Sequence, residues 1–405
     1  MRYSILPSLA KGCVEGQKSK SIAHRVLLLC AFTGGVCRIS GVPECEDVEA
    51  TLRCLDALGV RYERDGGHLT VDARERTQKR APHTMHIGES ASTLRFFIPL
   101  ALALKTEMTF VGKARVFQRP LGEYEKLFRR MGCPFLLGAE GLYVDGRECG
   151  RLPEETEVDA TVSSQFITGL AFMYALGGGG RIRLKGEVVS RPYIDLTISA
   201  LRTFGCEAHF LSDDCLAIEG GQRLTPCEVE IEGDYSASAF LDALNLFGGE
   251  VKVMGLVKNS LQGDRVYRDF FPLLRDGAPV LNLQACPDLA PVLMALASHF
   301  HGATLTSCAR LKHKESDRGM QMAKELSKLG ADIEISGDTI VIHKTKLHPP
   351  TEALFSHGDH RIAMALSVLL TVYGGELEGA ECVAKSFPDF FQTLKKLGIG
   401  IVACQ

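Results

Sequence analysis

The sequence lacks both a long hydrophobic run and a strong excess of charge of either sign. Its longest apolar stretches, residues 96–104 and 26–32, are far shorter than the roughly 20 residues that a membrane-spanning helix needs. Only a short apolar stretch separates Arg2 from Lys11, which is not typical of a secretory signal. The net charge of −3 over 405 residues provides no general basic surface for nucleic acid or an anionic membrane. We therefore expect a cytoplasmic protein that binds neither and holds any anionic ligand with local cations.

The cysteines lack the spacing of a metal site or a disulfide framework. Fourteen are present, scattered from Cys13 to Cys404, and no two are separated as Cys-x-x-Cys. This distribution predicts reduced thiols in a cytosolic compartment, with no structural zinc site.

An internal repeat is the main feature that the sequence does contain. A chain of this length exceeds what one hydrophobic core usually serves, so two domains are expected. A helical pattern, a glycine that fits a left-handed helix C-cap, and an alternating tail such as residues 331–344 recur six times. The pattern predicts six β-α-β-α-β-β units, three per domain; the alternative is a set of coincidental amphipathic helices. The marker glycines are Gly59, Gly132, Gly205, Gly277, Gly330 and Gly398.

Polar and cationic residues precede several of the apolar helical segments. Each group alone is explained by a helix cap with solvated charges. Free backbone N–H groups at a helix start also favour anions, so the recurrence of such groups indicates sites for highly anionic ligands. Among them, Lys314 and Arg318 lie four residues apart, and a cation and the carboxylate of Glu315 can share one helix face. Residues 88–97, GESASTLRFF, fit both a cap and an anion cradle.

Nine motifs, in the same order along essentially the whole chain, resemble the 5-enolpyruvylshikimate-3-phosphate synthase family. They are KSxxHR (20–25), SSQF (163–166), SRPYID (190–195), EGDxSAS (232–238), LQGD (261–264), CPD (286–288), KESDR (314–318), GDHRIAM (358–364) and KSFPDF (385–390).

The resemblance implies an α/β fold and an addition–elimination reaction. The fold would be the inside-out α/β barrel of enolpyruvyl transferases, with two similar domains of three βαβαββ units that close over the substrates. Residues 1–13 and 233–405 would form a discontinuous domain, and residues 14–232 the inserted one. A monomer would transfer the enolpyruvyl group of phosphoenolpyruvate to the 5-hydroxyl of shikimate 3-phosphate, on the pathway to chorismate and the aromatic amino acids. Phosphate is released, and no metal or organic cofactor takes part.

The resemblance also implies roles for individual residues. Asp288 would accept the 5-hydroxyl proton and Glu315 would pass a proton to the methylene carbon, although the division of protons among Asp288, Glu315 and Lys20 stays open. The phosphoenolpyruvate-binding residues would be Lys20, Ala91, Arg119, Gln165, Arg318, Arg361 and Lys385. The shikimate 3-phosphate-binding residues would be Lys20, Ser21, Arg25, Ser163, Ser164, Gln165, Ser190, Tyr193, Asp288 and Lys314.

Four positions depart from the pattern of the family. Gln17 and Lys18 stand where a proline-glycine pair is frequent, and Arg310 stands where an asparagine is frequent. Ala91 replaces a glycine, as in members that tolerate the inhibitor glyphosate. Two alternative functions are a UDP-N-acetylglucosamine enolpyruvyl transferase, against which SSQF and KESDR argue, and a non-catalytic anion-binding module.

Overall fold

The computed structural model describes residues 1–76, 82–139 and 141–404, which divide into two compact units. Unit 1 comprises Met1–Gln17 with Gly233–Gln405, and unit 2 comprises Lys18–Glu232. The chain enters unit 2 after Gln17 and not near residue 14, because residues 11–15 form a strand that pairs within unit 1 along its whole length.

The described residues form short strands and helices in alternation. The strands are β1 (Arg2–Ile5), β2 (Lys11–Glu15), β3 (Val36–Ser40), β4 (Arg61–Asp65), β5 (His68–Asp72), β6 (His83–Gly88), β7 (Glu107–Gly112), β8 (Phe135–Leu137), β9 (Gly141–Asp145), β10 (Glu155–Asp159), β11 (Gly180–Lys185), β12 (Ala208–Ser212), β13 (Cys215–Ile218), β14 (Glu228–Glu230), β15 (Glu250–Met254), β16 (Val280–Asn282), β17 (Ala303–Thr306), β18 (Asp332–Ser336), β19 (Thr339–His343), β20 (Leu354–Phe355), β21 (Gly375–Glu378) and β22 (Ile401–Cys404). The α-helices are α1 (Lys20–Cys30), α2 (Glu46–Ala57), α3 (Ala91–Phe97), α4 (Leu100–Leu104), α5 (Ala114–Phe117), α6 (Gly122–Arg130), α7 (Ser164–Gly177), α8 (Arg191–Thr203), α9 (Tyr235–Asp242), α10 (Tyr267–Asp276), α11 (Ala290–His299), α12 (Arg318–Ser327), α13 (His360–Tyr373) and α14 (Phe390–Lys396). Short 3₁₀ helices cover Ala243–Phe247, Gly263–Val266, Pro287–Leu289, Ala309–His313 and Ala380–Lys385.

Three copies of the predicted repeat are complete and continuous in the chain. They are the four-stranded sheets β6-β7-β9-β8, β10-β11-β13-β12 and β16-β17-β19-β18. In each, the first two strands are parallel and joined through helix, and the last two form an antiparallel hairpin against the second strand. The βαβαββ fold class is confirmed.

Two further sheets are completed by a strand from a distant part of the chain. In unit 2, β14 pairs in parallel with β3 and completes the order β14-β3-β5-β4. In unit 1, the N-terminal β1 lies between β21 and β22, antiparallel to both. These pairings bring the first and last strands of each unit into one sheet, and they join the two chain segments of unit 1.

The copy around Gly277 differs from the expected unit. The sheet of this copy contains only β2 and β15, which are parallel. Helix α10 ends at Asp276, and the next strand, which begins at Val280, already belongs to the following sheet, so no chain remains for a hairpin. The prediction of a left-handed C-cap was also wrong here, since Gly277 is extended with φ −175°. The other five marker glycines are left-handed: Gly59 (76°), Gly132 (65°), Gly205 (80°), Gly330 (89°) and Gly398 (89°).

Each unit has its own core, centred on helices that are apolar on nearly all sides. Helix α7 fills the core of unit 2, and α11 and α13 fill the core of unit 1, as expected of helices without a polar face. Among residues 1–76, 82–139 and 141–404, no helix is both long and hydrophobic enough to cross a membrane. Several of the predicted site residues lie at the polar ends of these core helices.

Candidate active site

The predicted site residues form two groups, one in each unit. Unit 1 carries Asp288, Lys314, Glu315, Arg318, Arg361 and Lys385. Unit 2 carries Lys20, Ser21, Ala91, Arg25, Arg119, Ser163, Ser164, Gln165, Ser190 and Tyr193. Most of them stand at or just before the start of a helix, as the polar caps in the sequence predict.

Asp288 lies at the centre of the unit 1 group, in the 3₁₀ turn that precedes α11. Its Oδ1 accepts from Lys314 Nζ at 3.1 Å and from Arg318 Nη1 at 2.6 Å, and its Oδ2 lies 3.0 Å from Arg361 Nη2. Burial alone would raise the pKa of Asp288, but Arg361, Lys314 and Arg318 outweigh it and hold that pKa well below its usual range. The carboxylate is therefore ionised, and three cations surround it.

Arg318 links three carboxylates at the start of α12, although only 1% of its side chain is exposed. Besides Asp288, its Nε donates to Asp359 Oδ2 at 2.8 Å and its Nη2 donates to Glu315 Oε2 at 2.5 Å. Burial opposes the charge of Arg318, yet Asp359, Glu315 and Asp288 together raise its pKa above the ordinary value. The network fixes both proposed proton-transfer carboxylates on one guanidinium.

Asp359 was not among the predicted site residues. It is fully buried at the N-cap of α13, where its Oδ1 accepts from the Arg361 backbone N–H at 2.9 Å. Its Oδ2 accepts from Ser316 Oγ at 3.1 Å as well as from Arg318. An aspartate directly before an apolar helical segment is the N-cap signal that identifies it. It orients Arg318 and the first turn of α13 together.

The remaining cations of unit 1 contact neutral groups as well. Arg361 Nη1 donates to Ser236 Oγ, which belongs to the EGDxSAS motif at the start of α9. Lys385, the last residue of a 3₁₀ helix, donates from Nζ to the Gly358 carbonyl at 2.8 Å. Both side chains are largely buried. These contacts hold each cation in a defined direction before any ligand binds.

Lys314 has a shifted pKa, and Arg310 lies four residues before it in the sequence. Burial lowers the pKa of Lys314 to about 8, with Asp288 opposing that shift. Arg310 donates from Nη2 to the Gln284 carbonyl at 2.6 Å. The residue at this departure from the family pattern therefore braces the loop that leads to Asp288.

In unit 2, Lys20 is the first residue of α1 and pairs with an acidic residue that was not predicted. Its Nζ lies 2.7 Å from Asp47 Oδ2, and both side chains are mostly buried. Ser21 follows in the first turn of the same helix. Nothing in the sequence indicates that Asp47, at the start of α2, pairs with a lysine of α1.

Arg25 is buried inside unit 2, and each of its nitrogens contacts a protein group. Nε donates to Thr197 Oγ1 at 2.9 Å, Nη1 to the Ser21 carbonyl at 2.6 Å, and Nη2 to the Tyr193 carbonyl at 2.9 Å. Its guanidinium lies 5.3 Å from the ring centroid of Phe96. Burial lowers the pKa of Arg25 to about 10. Arg25 thus joins α1 to α8 and fixes the backbone beside two of the predicted ligand-binding side chains.

Gln165 connects two parts of the unit 2 group. Its Oε1 accepts from Arg95 Nη1 at 2.7 Å, and its Nε2 donates to Ser92 Oγ at 2.9 Å. Arg95 also donates to the Pro120 carbonyl at 2.8 Å, next to the half-buried Arg119. Helix α7, residues 88–97 and residues 118–120 therefore meet at this glutamine.

Helix starts place the other predicted residues of unit 2. Ala91 is buried and begins α3 after Ser90, whose hydroxyl accepts from the Thr93 N–H. Ser163 caps α7 in the same way, accepting from the Gln165 N–H at 3.3 Å, and Ser164 is the first residue of that helix.

Ser190 precedes α8 with a backbone φ of 54°, a conformation that non-glycine residues adopt rarely and mostly at functional sites. Its carbonyl accepts from the N–H of Tyr193, whose side chain is half-buried. The unit 1 group contains cations and carboxylates, and the unit 2 group contains cations, hydroxyls and helix N-termini; side chains and helix ends of these kinds can bind anions or exchange protons. In the part of the chain that the structure describes, no cluster of three or more histidine, cysteine, aspartate or glutamate residues is arranged to hold a metal ion.

Comparison with known proteins gives one consistent result. A family model described as EPSP synthase (3-phosphoshikimate 1-carboxyvinyltransferase) matches residues 7–271 and 272–394. Proteins named 3-phosphoshikimate 1-carboxyvinyltransferase from Clostridium kluyveri and Clostridioides difficile are 36% and 34% identical. The matches cover 98% of this chain and 98% of the first relative, and 97% of this chain and 97% of the second.

Solved structures share the fold. The EPSP synthase from Acinetobacter baumannii superposes with a TM-score of 0.76 over 99% of this chain and 100% of that one, at 23% identity. The enolpyruvyl transferase NikO from Streptomyces tendae has a TM-score of 0.77 over 99% and 98% of the two chains, at 15% identity. The full-length matches and the two groups of motif residues lead to one conclusion: the chain belongs to the EPSP synthase (3-phosphoshikimate 1-carboxyvinyltransferase) family.

Proposed function

We propose that the protein transfers the enolpyruvyl group of phosphoenolpyruvate to the 5-hydroxyl of shikimate 3-phosphate and releases phosphate. The observation that carries the proposal is the contact of one ionised carboxylate, Asp288, with three cations, Lys314, Arg318 and Arg361. Such a group can bind anionic substrates and accept a proton from a hydroxyl in one place. Membership of the family supports the same reaction.

The ion pairs of Asp288 imply that its strength as a base depends on whether the substrates are bound. A carboxylate held by three cations has a low pKa and is a weak base. Arg361 and Lys314 are also proposed ligands of phosphoenolpyruvate and shikimate 3-phosphate. When those anions bind, they compete for the two cations, and the pKa of Asp288 rises. Asp288 would thus become an effective base only when both substrates are present.

The chemistry divides into an addition and an elimination. In the addition, Glu315 would protonate the methylene carbon of phosphoenolpyruvate while the 5-hydroxyl oxygen attacks the adjacent carbon and gives its proton to Asp288. In the elimination, the new methyl group returns a proton to Glu315 and the bond between carbon and the phosphate oxygen breaks, which restores the double bond. The phosphate leaves with the bonding electrons and takes the proton held by Asp288. Cations fixed before the reaction stabilise the charge that develops on the phosphate. The sum of both steps consumes no cofactor.

The family resemblance implies binding residues in each of the two groups. Phosphoenolpyruvate would contact Lys20, Ala91, Arg119, Gln165, Arg318, Arg361 and Lys385. Shikimate 3-phosphate would contact Lys20, Ser21, Arg25, Ser163, Ser164, Gln165, Ser190, Tyr193, Asp288 and Lys314.

We also propose that the enzyme acts as a monomer in the cytoplasm. One chain supplies every group named above, so the reaction needs no residue from a second copy. All fourteen cysteines are free thiols, which is typical of proteins of a reducing compartment.

Release of phosphate from phosphoenolpyruvate tests the proposed function. We expect steady release with shikimate 3-phosphate as acceptor and none with UDP-N-acetylglucosamine. Release with the UDP-sugar alone would identify the sister activity, and release with neither acceptor, in folded protein, would leave only anion binding.

The pKa of Lys314 predicts a pH dependence. At pH values below about 8 its ammonium is charged and can bind a phosphate, whereas above that value the free enzyme loses the charge. We expect kcat/KM for shikimate 3-phosphate to fall about tenfold per pH unit above this point, because this ratio reports free-enzyme pKa values. Lys314→Arg, which stays charged, should abolish the fall. An equal fall in both proteins would contradict the assignment.

The lowered pKa of Lys314 also makes the free energy of unfolding depend on pH. The folded pKa of about 8 lies below the ordinary 10.5, so the unfolded chain binds more protons between these values. The contribution of Lys314 to the free energy of unfolding therefore rises with pH across that interval and is least favourable below it. Denaturation of Lys314→Met should lack this rise.

Ala91 predicts weak inhibition by glyphosate, on the basis of the family resemblance. Ala91 is buried and is the first residue of α3. Its methyl group would occupy volume that an inhibitor longer than phosphoenolpyruvate needs. We expect Ala91→Gly to lower the glyphosate inhibition constant at least tenfold, within the usual effect of about 10–200-fold for one methyl group. The KM for phosphoenolpyruvate should change little. Ala114→Gly, at the first residue of α5, is the matched control, and an inhibition constant unaffected by Ala91→Gly would refute the prediction.

A further inference from the structure

Glu325 is a buried carboxylate outside the predicted site. It lies in α12, two turns after Arg318, and only 1% of its side chain is exposed. Its Oε2 accepts from the Phe355 backbone N–H at 2.9 Å and pairs with Lys328 Nζ at 2.9 Å. Its Oε1 lies 2.7 Å from His357 Nε2. A charge at this depth is costly unless it is paired, and three contacts meet that requirement.

The segment that Glu325 holds has an unusual backbone. His357 has a φ of 53°, in the left-handed region that non-glycine residues adopt uncommonly, although histidine adopts it more often than most. The ring of His357 packs edge-on against Phe355, and its Nε2 reaches Glu325. On the other side, Ser356 Oγ donates to the Gly379 carbonyl at 2.9 Å. Contacts from two sides therefore maintain a conformation that the chain would otherwise avoid.

The residues that follow His357 contact two proposed phosphoenolpyruvate-binding cations. The Gly358 carbonyl accepts from Lys385 Nζ at 2.8 Å, and Asp359 accepts from Arg318 Nε at 2.8 Å. Arg318 and Glu325 are seven residues apart, which places both on one face of α12. One helix face thus carries the cation at its start and, two turns later, the carboxylate that holds the loop.

We infer that Glu325 is a positioning residue for Arg318 and Lys385, acting through His357 and the backbone of residues 355–359. The inference rests on the proposed function, because it assigns the two cations to phosphoenolpyruvate. Removal of the carboxylate frees His357 from its left-handed conformation, and the carbonyl of Gly358 and the carboxylate of Asp359 then shift relative to the two cations. The binding of phosphoenolpyruvate depends on that geometry, whereas Ser163, Ser164 and Ser190 lie in the other unit.

Steady-state kinetics of Glu325→Gln tests the inference. We expect the KM for phosphoenolpyruvate to rise about tenfold or more, as small misplacements of positioning groups do, with a smaller change in the KM for shikimate 3-phosphate. Glu352→Gln is the matched control: Glu352 also pairs with Lys328, at 3.3 Å, but its side chain is 68% exposed, so wild-type kinetics are expected. A lower melting temperature with an unchanged KM would show a structural role only and would overturn the inference.

A second variant tests whether Glu325 acts through His357. His357→Asn keeps a residue that tolerates the left-handed region but is too short to replace the imidazole contact, and it should raise the same KM. In the double variant the increase should not exceed that of the larger single variant, since both changes remove one interaction. Multiplied effects would overturn the route through His357. If Glu325→Gln does not fold, an unchanged KM in His357→Asn overturns the inference by itself.

Titration with inorganic phosphate distinguishes failure of the inference from failure of the proposed function. The titration needs no turnover, so it remains informative if the wild-type protein is inactive with both substrates. Weaker phosphate binding by Glu325→Gln than by Glu352→Gln supports the inference even then. Equal binding by both variants, or active wild-type enzyme with an unchanged KM in Glu325→Gln, overturns the inference and leaves the proposed function intact.

Discussion

Asp288→Asn is expected to lower kcat by about 10²- to 10⁴-fold, the usual contribution of a positioned proton acceptor. The amide keeps the shape of the carboxylate but cannot take the 5-hydroxyl proton. It also leaves Lys314, Arg318 and Arg361 without their shared counter-charge, so repulsion among them should reduce stability. Single-turnover kinetics at saturating substrate concentrations measure the chemical step directly.

The fold of the variant must be controlled, because the removed charge is surrounded by cations. Asp276→Asn removes an exposed aspartate that pairs with Arg275, and it should keep wild-type turnover. Circular dichroism of Asp288→Asn should match that of the wild type. A folded Asp288→Asn enzyme with near-full kcat would show that Asp288 is not the base.

Glu315→Gln is expected to lower kcat at least about 10²-fold, because glutamine cannot supply the methylene proton. Glu315 Oε2 accepts from Arg318 Nη2, a contact that the amide oxygen of glutamine can also make. The variant should therefore keep the position of Arg318, and the KM for phosphoenolpyruvate should change less than kcat. Exchange of solvent deuterium into the methylene group of the product reports the proton transfer and should slow in parallel.

Glu334→Gln is the control for this variant, since Glu334 lies at the surface beside His343. Normal deuterium exchange in Glu315→Gln combined with slow turnover would assign the loss to another step. Normal values of both would remove Glu315 from the proton path and leave Asp288 and Lys20 as the remaining candidates of the three.

Local patterns in the sequence predicted much of the fold. The polar residues before apolar segments did begin helices, as Lys20, Ser164 and Arg318 show. The repeat was correct wherever enough chain followed the helix. It was wrong around Gly277, because a glycine can end a helix in an extended as well as a left-handed conformation. Only the short interval before the next strand distinguishes the two cases.

The site was predictable to the extent that its residues lie in contiguous motifs. Asp288, Lys314 and Arg318 come from two such motifs, and the structure brings them into contact. The partners Asp47 and Asp359 were missed, since pairing across separate helices depends on packing that no single segment encodes. Arg25 illustrates another limit: its sequence motif gave no indication of its contacts with Thr197 and with the Tyr193 carbonyl.

Mass spectrometry of the product tests the central claim most directly. The wild-type protein is incubated with phosphoenolpyruvate and shikimate 3-phosphate, without added metal or cofactor, and the organic products are identified. The account predicts 5-enolpyruvylshikimate 3-phosphate in amounts equal to the phosphate released. Folded protein that leaves both substrates unchanged, or that releases phosphate without forming this product, would contradict it.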